Sequence, residues 1–192
     1  MNLLEYEAKV ILKSSQISVP IGIIVTKAIF NTSTFPTVLK SQVPTGGRGK
    51  AGGILIIDTQ EKLEEATKKL FSLEIKGYLP QVLLAEEKLA ITRELYLSLL
   101  IDRKTSGLKL IAHTNGGVEV EENKDFASWL VDYSKPDADA LGQALAEYYD
   151  LEDKTFVLQD LVENLITCFK QNDATLLEIN PLIVTDEGDI IA

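Results

Sequence analysis

The segment Gly46-Gly47-Arg48-Gly49-Lys50-Ala51-Gly52-Gly53 constrains this chain more than any other, because it holds five of the twelve glycines in eight residues. Glycine at that density disfavours a helix and leaves a backbone that other groups can approach closely. Apolar, β-prone runs flank it, Thr37–Ser41 before and Gly53–Ile57 after, so the expected unit is strand, glycine loop, strand. Gly47-x-Gly49-x-x-Gly52 formally matches the dinucleotide fingerprint, but that fingerprint opens a helix, and here a strand follows. A Walker ending is missing too, because Lys50 is followed by Ala51. The order fits a flap over nucleotide phosphates, of the kind kinases use. Lys40 on the preceding strand, with Arg48 and Lys50 in the loop, would supply the charge.

The charge around this loop leaves two readings open. Residues 8–57 contain no carboxylate side chain, while Lys9, Lys13, Lys27, Lys40, Arg48 and Lys50 give them six positive charges. The whole chain carries −10, so the remainder carries −16 (−10 minus 6). Such an island is either a site for a compact polyanion or a surface loop that lacks acids. The acidic total argues against broad binding to nucleic acid or anionic membranes. No run approaches the ~20 apolar residues of a bilayer span. The opening Met1-Asn2-Leu3-Leu4-Glu5 has no basic or apolar leader character, so a cytoplasmic protein is expected. One cysteine, Cys168, and one histidine, His113, exclude a disulfide framework and a zinc site built from several Cys and His ligands.

Periodicity predicts a helix over 2–15, with an Asn2/Glu5 capping box and an apolar face of Leu3, Tyr6, Val10 and Ile11. Extended chain follows from Ile21 to Val25 after Pro20. Beyond the glycine loop, an Asp58/Glu61 capping box opens a helix to about Phe71, and Gln81–Ala85 is strand-like. Arg93–Arg103 and Leu108–Thr114 form a hairpin across the turn at 104–107. Helices are expected at about 137–149 and 154–171, then strands at 175–180, 182–185 and 189–191. Strands and helices mix without a βαβ rhythm, which predicts an α+β fold and disfavours a doubly wound sheet. A chain stopping at Ala192 with a strand under way reads as a fragment.

Four further segments carry candidate chemistry. In Glu178-Ile179-Asn180-Pro181, a strand would put Glu178 and Asn180 on one face. A carboxylate and an amide oxygen there are hard ligands suited to magnesium, the alternative being that Asn-Pro only starts a turn. Glu86 at a strand end and Glu94 before Leu95-Tyr96-Leu97 are either ribose acceptors or solvated surface acids. Thr114-Asn115-Gly116-Gly117-Val118-Glu119-Val120-Glu121 reads as a hairpin-ending turn. Cys168 sits in an apolar helical pattern and is expected to be buried and inert.

Taken together, these segments resemble the nucleotide-binding β subunits of succinate–CoA ligases (succinyl-CoA synthetases), which are ATP-grasp proteins. The resemblance rests on Met1-Asn2-Leu3-x-Glu5-Tyr6-x-Ala8-Lys9, on Gly46 to Gly53, on Glu94-Leu95-Tyr96-Leu97 with Asp102-Arg103, on Gly116 to Glu121, and on Glu178-Ile179-Asn180-Pro181-Leu182. They run in family order across the chain. The resemblance implies an ATP-grasp fold of two lobes clasping a nucleotide, about 21–89 and 1–20 with 90–192, without the family's C-terminal flavodoxin-like domain. It implies that Lys40, Gly47, Arg48 and Gly49 hold phosphates, that Glu86, Leu89 and Glu94 surround base and ribose, and that Asn180 binds Mg²⁺. Glu178 would face a phosphohistidine carried by an α subunit.

The implied activity is acid–thiol ligation in the citric acid cycle, with ATP preferred over GTP and with succinate and CoA as the other substrates. A fragment is expected to be inactive alone. Sister ligases for malate or citrate, and a non-catalytic assembly module, remain alternatives. There are departures from the family pattern. Asn115 stands where the family has a glutamate, a second magnesium-binding Asp would fall beyond Ala192, and His113 occupies a position that the family does not use for phosphotransfer, so it reads as structural.

Overall fold

The computed structural model describes residues 2–27, 35–117, 120 and 123–192. It divides into two compact units, residues 1–10 with 20–90 and residues 11–19 with 91–192. The expected division put residues 1–20 with the later part of the chain. Residues 1–10 group instead with 20–90, because Glu5 and Lys9 are tied by ion pairs to Lys40, Arg48 and Glu86. The helix that carries them, α1 (Glu5–Ser14), therefore contributes to both units.

The first unit is a four-stranded antiparallel sheet in the order β1-β4-β2-β3, made from β1 (Gly22–Val25), β2 (Thr37–Ser41), β3 (Ile54–Ile57) and β4 (Leu83–Glu87). Its helix α2 (Gln60–Phe71) buries Leu63, Ala66, Leu70 and Phe71 against Val25, Leu39, Ile57, Leu83 and Ala85. Thr59 caps α2 by accepting from the Lys62 N–H, one residue later than the expected Asp58. β4 begins two residues later than expected, which moves Glu86 from beyond the strand to its interior.

The second unit is a five-stranded antiparallel sheet in the order β7-β6-β5-β8-β9. Its strands are β5 (Ile91–Asp102), β6 (Gly107–His113), β7 (Ala127–Val131), β8 (Leu176–Thr185) and β9 (Ile190–Ile191). Helices α3 (Ala138–Tyr149) and α4 (Thr155–Gln171) share one core with Leu95, Leu97 and Leu99 of β5, and Leu12 and Ile17 join it. Cys168 is 1% exposed in that core, as expected of an inert thiol. β7 was not anticipated, because its apolar run is too short to stand out from the turn residues before it. None of the helices among the described residues is long and apolar enough to cross a membrane.

Two local expectations are corrected. The expected face of α1, Leu3, Tyr6, Val10 and Ile11, holds only in part: Ile11 packs against the core, but Leu3 and Val10 are exposed, and Leu12 is the helix's buried residue. Nor does Glu5 take part in a capping box. Glu7 accepts the Leu4 N–H at 2.7 Å, while the Glu5 carboxylate is held by cations. The second correction concerns Asn180-Pro181, which neither starts a turn nor separates two strands. β8 runs through it, and the register against β5 shifts from Leu97↔Ile179 to Leu95↔Leu182. Two residues thus oppose Tyr96 alone, a β-bulge, and a bulge is the place where a sheet interior tolerates proline.

Candidate functional site

In the first unit, the strand–loop–strand expectation is met by the pair β2 and β3, which are in register from Thr37↔Ile57 to Lys40↔Ile54, with Ser41 N–H donating to Gly53 O at 2.8 Å. The loop between them folds back on itself through Ala51 N to Gly47 O, Gly52 N to Gly49 O and Gly53 N to Arg48 O. Gly47 has φ +85°, a conformation open to glycine and strained for other residues. The Lys76 ammonium lies 3.4 Å from the position a Gly47 Cβ would take. Lys76 reaches there from a tight turn in which Ile75 and Tyr78 exchange both backbone bonds.

The loop's Arg48 and the strand's Lys40 converge. Arg48 Nη1 lies 2.6 Å from Glu5 Oε2 and donates to Ser41 O at 3.2 Å. Lys40 Nζ donates to Glu5 Oε1 at 3.1 Å and to Glu86 Oε2 at 2.5 Å. Lys9 Nζ adds a third cation, 2.6 Å from Glu86 Oε1 and 3.4 Å from Glu5 Oε1. Gln42 ties the group to the helix, with its Oε1 accepting Tyr6 N–H at 3.1 Å and its Nε2 3.4 Å from Glu5. Three cations thus share two carboxylates, leaving one formal positive charge.

The electrostatics follow from this packing. Burial alone would raise the Glu5 carboxyl, but Lys40, Arg48 and Lys9 outweigh it and hold the group well below the usual carboxylate range. Burial also opposes charge on Lys40, yet Glu5 and Glu86 prevail and push it up. Lys9 goes the other way. Burial and the Lys40 ammonium lower it against the pull of the same two carboxylates.

Glu86 corrects an expectation. As a ribose acceptor it would stand open at a strand end, but it is 2% exposed inside β4 with both oxygens on lysines. Leu89 follows that strand and is half-buried. Residue-by-residue reading gave Glu5, Lys9, Gln42 and Lys76 no chemical role. For Glu5 and Lys9 the available signal was their i, i+4 spacing on one helix face.

In the second unit, Glu94 on β5, the Gly116–Gly117 turn after β6 and Asn180 on β8 come together. Gly116 N–H donates to Glu94 O at 2.8 Å. A Cβ at Gly116 would collide with Leu95 O, and Gly117 has φ +91°, a conformation strained for other residues, so the turn favours glycine at both positions. Asn180 Oδ1 accepts the Gly117 N–H at 2.6 Å, and its Nδ2 donates to Gly117 O at 3.2 Å. Residues 118, 119, 121 and 122 of the same motif lie outside the described residues. Glu178 and Asn180 are exposed and Ile179 is buried, the alternation a strand requires, and burial, with the Glu178 charge nearby, pushes the Tyr96 hydroxyl up. Thr92, Arg93, Glu94, Thr114, Asn115 and Gly116 line a cavity of about 430 Å³.

His113 is 8% exposed and structural, as expected. Its Nε2 lies 3.1 Å from Lys124 O, and its Nδ1 lies 3.0 Å from both the N and the O of Asn115 and 3.1 Å from Asn123 Nδ2.

Two antiparallel sheets, a glycine loop bearing cations, and a second set of acid, glycine turn and amide are the features that the ATP-grasp class of protein brings together here. The family model for the ATP-grasp domain matches residues 2–184, and the chain belongs to that family. Among its relatives is the ADP-forming succinate–CoA ligase subunit beta of Methanocaldococcus jannaschii, 37% identical over 201 residues, covering all of this chain and 55% of the relative. The corresponding subunit of Rubrobacter xylanophilus is 37% identical over 164 residues, covering 80% of this chain and 42% of the relative. The chain thus spans about half the length of the curated relatives it matches. Solved structures share the fold at low identity. The ATP citrate lyase of Methanothrix soehngenii superposes with a TM-score of 0.72 at 20% identity, over 99% of this chain and 49% of that one. A dinucleotide-forming acetyl-coenzyme A synthetase of Ca. Korarchaeum cryptofilum gives 0.70 at 20%, over 94% and 86%.

Proposed function

We propose that this chain is the nucleotide-binding part of a succinate–CoA ligase β subunit. In this reading it uses ATP, with GTP as the lesser alternative, to phosphorylate a histidine of an α subunit during reversible succinyl-CoA formation. That places it in the citric acid cycle and the cytoplasm. The single observation that carries the reading is the meeting of Lys40 Nζ and Arg48 Nη1, from strand and glycine loop, on one carboxylate at 3.1 and 2.6 Å. Groups that converge on one anion are preorganised for another, and phosphate presents the same acceptor oxygens. The whole-length relatives supply the choice of reaction.

In this proposal Lys40, Arg48 and the backbone at Gly47 and Gly49 hold the phosphates and spread their charge, while Leu89 and Glu94 take base and ribose. Glu86 serves by holding Lys40 rather than by meeting the ribose. Asn180 offers one hard oxygen for Mg²⁺. Among the described residues no group of three or more His, Cys, Asp or Glu could hold a metal ion. Magnesium takes one or two protein oxygens and completes its shell with phosphate and water. Mg²⁺, when bound, would neutralise charge on the transferring phosphoryl group. Glu178 would face the phosphohistidine.

Calorimetric titration with Mg–ATP tests the reading. Lys40→Ala should weaken binding at least about tenfold, and Lys68→Ala, on the exposed side of α2, should leave it unchanged. Equal effects of the two substitutions would sink the assignment.

A further inference from the structure

The carboxylate of Glu5 is held as a bound anion would be. Arg48 Nη1 is 2.6 Å away, Lys40 Nζ 3.1 Å, Lys9 Nζ 3.4 Å and Gln42 Nε2 3.4 Å. These donors come from a helix, a strand and two loop positions, and two of them are the groups assigned above to the phosphates. A carboxylate and a phosphoryl group both offer charged acceptor oxygens to such donors. The second carboxylate in the cluster has a different standing. Glu86 is fixed inside β4 and 2% exposed, whereas the Glu5 side chain is 18% exposed and sits on the first turn of a helix. Of the two, Glu5 is the more exposed to solvent.

Resting on that phosphate-binding reading, we propose that Glu5 is an internal stand-in for the phosphate tail. In the unliganded chain it fills the anion position, and a polyphosphate binds by displacing it. The charge count supports this. With Glu5 in place the cluster has one formal positive charge left over, and with Glu5 swung out it has two. A ligand bearing a single negative charge gains nothing by the exchange, since it only replaces one carboxylate by another. A polyphosphate brings several charges and more acceptor oxygens than Glu5 can offer. Glu5 therefore acts as a selectivity filter that favours polyphosphates over simple carboxylates and lowers the affinity for both.

Calorimetry on the 192-residue chain decides it, with Mg–ATP and inorganic tripolyphosphate as separate probes. Glu5→Gln should tighten both by about tenfold, the scale of one partly screened ion pair, while lowering the melting temperature. Tighter binding by a less stable chain is a result that a purely structural Glu5 would not give. If Glu5→Gln fails to fold, Glu5→Asp takes its place. Its shorter arm draws back from Arg48 and should tighten tripolyphosphate roughly threefold. Unchanged or weaker binding in the folded variant overturns the proposal. If Lys40→Ala still weakens Mg–ATP in that case, the nucleotide assignment survives and only the role of Glu5 falls. If neither the natural chain nor the Glu5 variant binds either probe, both fall.

Discussion

Replacing Glu86 with alanine should destabilise the chain by about 2–3 kcal/mol. Removing one partner from a buried ion pair costs about 3–5 kcal/mol, because the group left behind stays desolvated and unpaired. Two features of this cluster reduce that figure. The Lys9 and Lys40 side chains are 14% and 20% exposed, so water reaches them in part. Both also retain Glu5, at 3.4 and 3.1 Å. Opposing this relief, three cations would then share a single carboxylate. Glu64 provides the contrast, since it pairs with Lys68 at a comparable 3.0 Å but with side chains 52% and 74% exposed. An exposed pair of that kind contributes almost nothing, so Glu64→Ala should melt with the natural chain. For a chain of this size Glu86→Ala corresponds to a drop of roughly 4–12 °C in melting temperature, read by circular dichroism at neutral pH. The double replacement Glu86→Leu with Lys9→Met should recover part of the loss, because it removes charge and its desolvation together. Equal melting of the Glu86 and Glu64 variants would refute the reasoning, since burial would then not be what separates the two pairs.

Two other predictions concern pH and the glycine turn. Glu5 has a folded pKa below its unfolded value of about 4.3, so its contribution is complete above that pH and disappears as pH falls further. The stability gap between the natural chain and Glu5→Gln, measured by urea denaturation, should be flat from about pH 5 to 8 and close below about pH 4; a gap that widens on acidification would contradict the ion-pair assignment. Gly116→Ala should lower stability by about 1–3 kcal/mol in thermal melts, because its Cβ meets the Leu95 backbone carbonyl; a neutral outcome would mean that the turn is not held against β5.

How much of this was legible in the sequence depends on how local the responsible physics is. The hairpin of β5 and β6, the helix α3, and the strand pair around the glycine loop are set by periodicity and turn residues within a dozen positions, and all three were anticipated. The face of α1 was only partly so. Its apolar residues Leu3 and Val10 suggested one side, but the helix is oriented by Glu5 and Lys9, whose partners lie 35 to 77 residues further along the chain. Asn180-Pro181 failed for a related reason. A proline ordinarily ends a strand, and only the pairing of β8 with β5 shows that a bulge absorbs it.

The charge island makes the same point about the site. Along the chain, residues 8–57 are free of acids and look strongly cationic. In space, the cations that matter are matched by Glu5, just before that block, and Glu86, well after it. An uncompensated cluster of Lys9, Lys40 and Arg48 would repel itself in the absence of ligand, and a chain that had to fold before meeting a nucleotide would bear that repulsion throughout. Two carboxylates remove most of it while keeping the donors aimed at a common point. The sequence-level charge count therefore picked out the cations of the cluster and missed the carboxylates that pair with them. That pairing determines whether Glu5→Gln binds phosphate more tightly or less.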